Sequence, residues 1–455
     1  MAFPKSLLVP DAVAPGSVLT REEAESLIAR TLKFSRADAI RVNVQNSRES
    51  NVRFAANQMS TAGSSTTTSI RVQSVFGKRR ASVVTNSRTD EGLRRAVEQS
   101  EALARLAPED PEYLGELGPQ QYVAVPAWFD STASLSAEDR TKAALSALGP
   151  ARAANDLTVA GFLVTTARAT AIGNSAGLFA YHRSTEANYT LTARTNDGTG
   201  SGWAGAAAND WSKLDFVAVA KRAIDKARAS MNPVALEPGR YTVVLEPDAT
   251  SDLIPLMAGA LQARAAEEGR SAFSKPGGAT KLGEKIVDER VTLLSNPADP
   301  LILASPFDDD GMPLGRETWI ERGVLNQLAY TRFWANRKQK APTGGAGSLR
   351  LEGGTASLEE LIAGTERGVL VTHCWYIRAV DQRTLVYTGL TRDGTFLIEN
   401  GRITRPLKNF RFNESPLFML NNLEAIGQPV RTASGDAMPA IRIRDFHFTS
   451  LSDAV

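Results

Sequence analysis

The chain has 455 residues, of which 42% are hydrophobic and 22% are charged, a composition typical of globular proteins with buried cores. Its 52 Lys+Arg against 50 Asp+Glu leave a net charge of only +2, which argues against a nucleic-acid-binding protein. A single cysteine excludes an internal disulfide framework or a cysteine-rich metal site, and three histidines weigh against histidine-based metal catalysis. At roughly 100–200 residues per domain, the length predicts two to four domains.

The sequence contains no apolar run of the ~18–20 residues that a membrane-spanning helix needs, so we expect no contact with a membrane. Met1–Thr20 contains Pro4, Pro10 and Pro15 instead of a charged segment followed by an uninterrupted apolar one, so no signal peptide is predicted. The lone cysteine fits a reducing compartment. These features predict a soluble, cytoplasmic protein.

The first hundred or so residues show the pattern of an α+β unit rather than alternating βαβ units. Thr20 and Glu23 form a capping box, which predicts the start of a helix. Thr89 has the position of a second helix cap, and that helix must end before Pro108. Between the two helices we predict antiparallel strands at Ile40–Val44 and Val52–Phe54, followed by a hairpin of Ile70–Phe76 and Ala81–Thr85.

Pro108–Pro119 is rich in proline and acidic residues, which predicts a linker or an ordered surface loop. Beyond it we predict a helix at Ser136–Leu148 capped with the help of Asp139, β structure over Leu157–Thr195, and a helix at Phe216–Ala229. The Pro- and Gly-containing residues 231–239 mark a domain boundary. We therefore predict an N-terminal α+β domain at residues 1–235 and a C-terminal domain at residues 236–455.

The C-terminal half begins with a predicted strand, Tyr241–Leu245, and an Ala/Leu-rich helix, Asp252–Glu267. Short helices are predicted after Ser357 and after Ser415. The remainder consists of short strands between Gly-rich turns, which is typical of an antiparallel barrel or sandwich. The main ones are Val291–Leu294, Leu301–Ala304, Trp319–Ile320, Leu370–Ile377, Leu385–Thr388, Thr395–Ile398 and Ile441–Phe448. The predicted fold class is α+β, with a barrel-like, mainly antiparallel C-terminal domain.

His373–Cys374 is the one adjacent pair of soft metal ligands, and with His447 it would give three zinc ligands. Both residues fall in the predicted strand Leu370–Ile377, where neighbouring side chains point to opposite faces. We therefore interpret Cys374 as a small core residue. The sequence contains no H-E-x-x-H, G-x-S-x-G or Walker A motif.

Two turns carry groups that bind ions in other proteins. Asp308–Gly311 offers carboxylates to calcium or magnesium but lacks the spacing of an EF-hand, so we interpret it as an acidic turn. Thr343–Thr355 is Gly-rich, and its backbone N–H groups are suited to a phosphate or a peptide carboxylate. No Lys-Ser/Thr pair follows it, so a nucleotide site is not indicated, and we interpret it as a mobile loop near a cleft.

The densest polar motif is Thr388–Thr395, which lies between two predicted strands. Its Arg392 and Asp393 are suited to hold the terminus of a peptide. They are equally suited to pair with each other or to cap the turn. The residues themselves do not decide between these alternatives.

Several segments resemble the TldD/PmbA family. The similar C-terminal segments are Tyr376–Arg378, Thr388–Gly394, Ile398–Gly401, Pro406–Phe412 and Ser415–Leu417, and the similar N-terminal segments are Ala37–Val44, Ser69–Val84, Pro108–Pro111 and the turn Asn174–Gly177. The resemblance covers nearly the whole chain. It implies an N-terminal α+β domain and a C-terminal barrel-like domain.

The resemblance also implies a function. Active TldD-type members are zinc metallopeptidases with an HExxxH helix and a cysteine ligand near the C-terminus, and they act on short or unfolded peptides. They pair with a PmbA-type subunit, also called TldE, which lacks the zinc ligands. In this chain the corresponding segments, Leu253–Ser271 and Val430–Met438, contain no histidine and no cysteine. We therefore expect no cofactor in this chain and zinc only in a TldD-like partner.

We predict that the chain is the non-metal subunit of such a peptidase, inactive by itself, which binds peptide as a heterodimer with a TldD-like subunit. The alternative is a homodimeric peptide-binding or scaffold protein, and a third reading keeps a hydrolase activity through an unrecognised site. We place the peptide-facing surface at six residues, with Gly344–Gly354 as a cover: Arg378, Asp381, Thr388, Thr391, Arg392 and Asp393. The competing interpretation is an internal ion pair between Arg378 and Asp381. No catalytic and no metal-binding residue is predicted.

Overall fold

The computed structural model of the chain describes residues 18–154 and 156–452. The absence of a signal peptide was predicted from Met1–Thr20, and most of this segment lies outside the described residues. None of the helices in the described part is long and apolar enough to cross a membrane. The elements of the N-terminal half are α1 (Arg21–Lys33), β1 (Ala39–Ala55), β2 (Gln58–Phe76), β3 (Arg79–Thr85), α2 (Asp90–Leu106), α3 (Asp130–Ala133), α4 (Ala137–Ala154), β4 (Leu157–Asn174), β5 (Phe179–Thr195), β6 (Ser201–Ala208) and α5 (Phe216–Ala229).

The strands of this half form one antiparallel six-stranded sheet in the order β3-β2-β1-β4-β5-β6. Helices α1 and α2 pack their apolar sides against one end of the sheet, and α4 and α5 pack against the other. The predicted capping box is present in α1, since Thr20 Oγ1 accepts the N–H of Glu23 and the Glu23 carboxylate accepts the N–H of Thr20. The predicted α+β character is confirmed.

The prediction of two separate strands at Ile40–Val44 and Val52–Phe54 is wrong, because β1 is a single strand of 17 residues. The polar residues between the two apolar stretches suggested a break. In the fold, β1 is hydrogen-bonded to β2 on one side and to β4 on the other along nearly its whole length. Pairing on both sides satisfies the backbone through the polar stretch, which keeps it extended.

Pro108–Pro119 is an ordered surface loop. Arg80 Nη2 lies 2.5 Å from Asp110 Oδ2, and the buried Glu116 carboxylate lies 3.7 Å from Arg41 Nη1. The acidic turn Asp308–Gly311 is also structural, since the Asp308 carboxylate accepts the N–H groups of Asp310 and Met312. Asp310 in turn pairs with Arg41 at 2.6 Å, which ties the two halves of the chain together.

The C-terminal half contains β7 (Gly239–Leu245), α6 (Pro247–Leu253), a 3₁₀ helix (Ile254–Leu261), α7 (Ala263–Glu267), β8 (Leu293–Ser295), β9 (Glu317–Glu321), β10 (Val324–Leu325), α8 (Arg332–Lys338), β11 (Leu349–Leu351), α9 (Leu358–Ala363), β12 (Arg367–Val371), β13 (Cys374–Asp381), β14 (Val386–Thr391), β15 (Thr395–Glu399), β16 (Arg402–Pro406), β17 (Asn409–Glu414), α10 (Pro416–Asn421), β18 (Leu423–Ile426), β19 (Val430–Arg431), β20 (Ala437–Met438) and β21 (Ile441–Ser452). The predicted strand Leu301–Ala304 is not formed.

These strands form two sheets around the largest apolar core of the described residues. One sheet has the order β10-β9-β8-β11-β20-β19, and the other runs from β13 through β14, β17, β21, β7, β12 and β15 to β16, with β18 paired to β21. Most pairs are antiparallel, as predicted, but β7 pairs with β12 and β11 with β20 in parallel. The strand orders show no barrel closure among the described residues, so the barrel-like form is not confirmed.

Candidate functional site

The segment after β7 does not form the predicted continuous helix Asp252–Glu267. The observed helix α6 begins five residues earlier, at Pro247, and gives way to the 3₁₀ helix at Ile254. Pro255 was predicted to lie in the first turn of a helix, where a missing N–H is harmless. Since the helix begins at Pro247 instead, Pro255 falls where an α-helix needs its N–H, and the helix changes form there.

The end of α6 meets the segment between β19 and β20. Ser251 Oγ lies 2.6 Å from Ser434 Oγ and 3.1 Å from Thr432 Oγ1. The backbone N–H of Ala433 donates to Asp248 at 3.0 Å. The structure thus brings Val430–Met438, one of the two segments to which the family resemblance assigns zinc ligands, against the helix that leads directly into the other, Leu253–Ser271.

The side chains at this meeting point do not fit a zinc ion. They are the hydroxyls of Ser251, Thr432 and Ser434 and the one carboxylate of Asp248, which accepts the Ala433 N–H. Zinc in proteins is held by imidazole, thiolate and carboxylate groups. Across residues 18–154 and 156–452, no group of three or more His, Cys, Asp or Glu side chains is placed to hold a metal ion.

A histidine and a carboxylate lie next to this meeting point. His373 Nδ1 is 3.1 Å from Asp252 Oδ2, and the same oxygen accepts the N–H of Cys374 at 2.8 Å. The predicted strand Leu370–Ile377 is wrong, because it is broken at Thr372 and His373 between β12 and β13. The break turns the imidazole toward α6, whereas the Cys374 side chain is buried in the core as predicted.

The environment of His373 favours its protonated form. Burial by itself lowers the pKa of the imidazole, but the hydrogen-bonding and charge contributions of Asp252, with Asp393 and Asp248 farther away, raise it above its ordinary value. The imidazole also stacks on the Trp203 indole of β6, with ring centroids 4.5 Å apart and planes 10° from parallel. A strand of the N-terminal sheet therefore completes the surroundings of a histidine from the C-terminal half.

Further charged groups surround this cluster. Burial raises the pKa of Asp248 to about 6, against the opposing effects of the Ala433 N–H and the Lys226 ammonium. Lys226 forms a half-buried ion pair with Glu246 at 2.6 Å. We call Lys226, Glu246, Asp248, Asp252 and His373 the polar cluster. Within it, the pKa values of both Asp248 and His373 are raised.

Of the predicted peptide-facing residues, Arg378 and Asp381 lie on the exposed hairpin of β13 and β14. Arg378 Nη1 donates to the carbonyl of Ile377 at 2.9 Å, and its guanidinium lies 4.5 Å from the centre of the Tyr376 ring. Asp381 accepts the N–H of Arg383 and the hydroxyl of Thr384, which caps the turn. The alternative of an internal ion pair between Arg378 and Asp381 is therefore wrong.

The other four residues lie where β14 meets β15 and β17. Thr388 Oγ1 accepts from Arg411 at 3.3 Å, and the buried Thr391 accepts the N–H of Phe410 at 2.9 Å. Arg392 lies over the exposed Trp375 ring at 5.0 Å, and its Nε is 3.6 Å from Asp393 Oδ2. The two residues therefore contact each other, as one of the alternatives from the sequence proposed.

Asp393 is buried, and its Oδ1 accepts from Ser201 Oγ at 2.5 Å. Asp393, Gly394 and Thr395 line a cavity of about 320 Å³ between the two halves of the chain. We call it the interdomain cavity. Its other walls include Ser201, Ser230 and Asn232 from the N-terminal half and Lys408 and Asn409 from the C-terminal half.

The Gly-rich loop, predicted as a cover for this region, lines a different cavity. Gly344, Gly345 and Gly347 surround a space of about 230 Å³ together with Ser295 and Glu317. This space shares no lining residue with the interdomain cavity. The Gly-rich loop therefore borders a different cavity from the one that Asp393, Gly394 and Thr395 line.

The sequence interpretation missed the polar cluster except for His373. Asp248 and Asp252 stand four residues apart, a spacing that places two side chains on one side of a helix. The sequence therefore contained a signal for these two residues. It contained no signal for the contact between Trp203 and His373, because these residues are 170 positions apart and meet only when the two halves of the chain dock.

Comparison with known proteins places these observations in a family. Models of the PmbA/TldA metallopeptidase family match residues 41–104 as domain 1, 130–231 as the central domain and 238–450 as the C-terminal domain. A metalloprotease of Methanothermobacter thermautotrophicus is 26% identical over 261 residues, which are 51% of this chain and 55% of that protein. Metalloprotease PmbA of Escherichia coli O157:H7 is 28% identical over 159 residues, 34% of each protein. The matches to these curated relatives thus span about half of their length or less.

The fold extends the similarity over nearly the whole chain. The crystal structure of TldE from Thermococcus kodakarensis superimposes with a TM-score of 0.84 and 21% identity, covering 93% of this chain and 99% of that one. At this identity the structure supports the shared fold, while the three family models account for most of the sequence. The chain is a member of the PmbA/TldD family.

Proposed function

We propose that this chain is a PmbA/TldE-type subunit that binds no zinc itself and pairs with a TldD-like zinc metallopeptidase subunit to bind and process short or unfolded peptides. One observation carries the proposal: Val430–Met438 packs against α6, which leads into Leu253–Ser271, through hydroxyl groups and the Asp248 carboxylate and without histidine or cysteine. In a zinc-bearing member Leu253–Ser271 and Val430–Met438 would supply the ligands. The relatives named above as metalloproteases support the link to peptide hydrolysis.

In place of zinc ligands, this region has hydrogen bonds that hold its segments together. Ser251 bonds two hydroxyls and Asp248 holds the Ala433 N–H, which fixes the Val430–Met438 segment against α6. Asn188 of β5 donates to the Ala433 carbonyl at 2.6 Å, so the N-terminal sheet holds the same segment. We infer that the site serves as a wall for a substrate chamber rather than as a catalytic centre.

The predicted peptide-facing residues stay part of this proposal. Arg392 and the exposed Arg378 offer guanidinium groups to peptide carboxylates. Asp393 and Ser201 in the interdomain cavity offer groups that accept or donate hydrogen bonds to a peptide backbone. We place the complex in the cytoplasm, on the sequence grounds given above.

The test is co-expression of the chain with a TldD-like protein that has an intact HExxxH motif. We expect the two chains to co-purify, with zinc bound in proportion to the TldD-like chain and hydrolysis of an unstructured peptide only by the pair. A partner whose HExxxH histidines are replaced by alanine is the control for metal-dependent cleavage. A homodimer that does not bind the TldD-like protein would favour the scaffold alternative. Cleavage by the chain alone that resists a chelator would favour an unrecognised hydrolase site.

A further inference from the structure

A cavity of about 450 Å³ lies on the side of the C-terminal half, between the β13–β14 hairpin, β17 and α10. It shares no lining residue with the interdomain cavity, and it contains none of the polar cluster. Three of its lining residues are cationic, Arg240, Lys281 and Arg383, and one is acidic, Glu414. We call it the cationic cavity.

Two of the three cations have no counter-ion in the described part of the chain. The side chains of Lys281 and Arg383 form no ion pair within 4.0 Å and no hydrogen bond there; the hydrogen bonds of these two residues are made by their backbone groups. The third, Arg240, is held in place, because its Nη1 donates to the Asp445 carbonyl at 2.8 Å and its guanidinium lies 5.3 Å from the centre of the Phe418 ring. Three like charges around one space repel one another unless an anion enters.

The acidic residue of the cavity does not pair with these cations. Glu414 is 4% exposed, and its two carboxylate oxygens accept the N–H groups of His447 and Ser415, each at 2.9 Å. Burial raises the pKa of this carboxyl to about 7, against the effect of the two N–H groups and of Arg240. Near neutral pH the cavity therefore keeps a positive balance.

The rest of the lining is mixed, with the polar Thr384, Asn413 and Ser415 beside four apolar residues. The apolar lining residues are Val386 of β14, Leu417 and Phe418 of α10, and the buried Ala272. Phe418 is 38% exposed, which is high for a large aromatic side chain and leaves a hydrophobic surface beside the cations. A bare inorganic anion would use the cations and leave this hydrophobic surface in water.

We propose that the cationic cavity binds a small organic anion, a carboxylate joined to an apolar body, with Arg240, Lys281 and Arg383 around the carboxylate and the body against Leu417 and Phe418. Arginine binds carboxylates through two parallel N–H donors, and lysine adds a point charge. A free carboxylic acid and the C-terminal residue of a peptide share this chemistry.

The experiment is calorimetric titration of the full chain, without any partner, with N-acetyl-leucine and with N-acetyl-leucinamide, which has the same apolar body and no charge. Hydrogen bonds to a charged group contribute about 1.5–3 kcal/mol, so the acid should bind at least about tenfold tighter than the amide. Replacing both Lys281 and Arg383 by alanine should weaken binding of the acid about ten- to a hundredfold with an unchanged melting temperature.

R402A is the matched control, since Arg402 is an exposed cation on β16 outside the cavity, and this variant should bind like the wild type. A tetrapeptide ending in leucine distinguishes the sources: binding as tight as that of N-acetyl-leucine identifies a peptide C-terminus, and weaker binding identifies a small carboxylic acid. Equal affinity for acid and amide, equal affinity for inorganic phosphate, or unchanged binding in the K281A/R383A variant would overturn the proposal. Because no cleavage and no partner is involved, its failure would not affect the proposed function.

Discussion

His373 and Asp252 form the closest contact between a histidine and a carboxylate in the polar cluster, with Nδ1 of the imidazole 3.1 Å from Oδ2 of the aspartate. The same oxygen accepts the N–H of Cys374 at 2.8 Å, so one carboxylate fixes both the side chain and the backbone at the break between β12 and β13. The contact joins α6 to the start of β13, next to the Val430–Met438 segment.

The D252N variant should lower the pKa of His373, because the charge that raises it is removed and burial then dominates. The raised pKa stabilises the folded state below pH 6.5, and this contribution is lost as the pH rises through the folded-state pKa. The variant should therefore lose about 1–3 kcal/mol at pH 6 and less at pH 9. Histidine NMR titration and urea unfolding at both pH values measure the two effects.

D225N serves as the control for this experiment, since Asp225 is an exposed aspartate whose ion pair with Lys221 lies on the surface of α5. It should leave the His373 titration and the stability nearly unchanged. A D252N protein with the wild-type His373 pKa would show that Asp252 does not govern the imidazole.

The purified chain should bind no stoichiometric zinc. The reason is the donor set, since α6 and Val430–Met438 meet through hydroxyls and the single carboxylate of Asp248, and no three His, Cys, Asp or Glu side chains among the described residues are grouped to hold a metal ion. Metal analysis after dialysis checks this. One tightly held zinc per chain that disappears in H373A or C374A would contradict it.

Arg392→Ala should weaken peptide processing by the assembled complex about tenfold, the loss expected for one charge-assisted hydrogen bond. The melting temperature should change little, because the contact with the exposed Trp375 ring contributes only about 0.5–1 kcal/mol and the contact with Asp393, at 3.6 Å, is longer than a hydrogen bond. Activity assays and thermal unfolding on the same preparation separate the two effects. If the loss of activity follows a fall in melting temperature, Arg392 is structural; if neither changes, the peptide surface lies elsewhere.

Gly389→Ala should destabilise the chain by about 1–3 kcal/mol, because overpacking a filled core forces neighbouring side chains to move. A Cβ atom at this position would lie 2.5 Å from the ring of Phe412, which is fully buried. Gly347→Ala is the matched control, since no atom lies within 4 Å of a Cβ there. Denaturant unfolding of both variants checks the prediction, and equal stability would mean that the Thr388–Thr395 motif is less tightly packed than the structure indicates.

Local chemistry in the sequence determined the helix starts that have a capping box and the tight hairpin turn. The capping boxes of Thr20 with Glu23 and of Ser357 with Glu360 are formed as predicted, because each cap involves atoms only three residues apart. The hairpin around Gly77 is also formed, since a short polar turn between alternating strands requires no distant partner. The missing HExxxH motif was likewise evident from the residues themselves.

Tertiary structure decided the features that depend on distant partners. β1 continues through a polar stretch because β2 and β4 flank it, and β7 pairs in parallel with β12, more than a hundred residues away. His373 faces Asp252 and Trp203 only because α6, the broken strand and the N-terminal sheet meet at one place. Periodicity and spacing describe neighbours along the chain, whereas these contacts arise from the docking of separate segments, which no single stretch of sequence encodes.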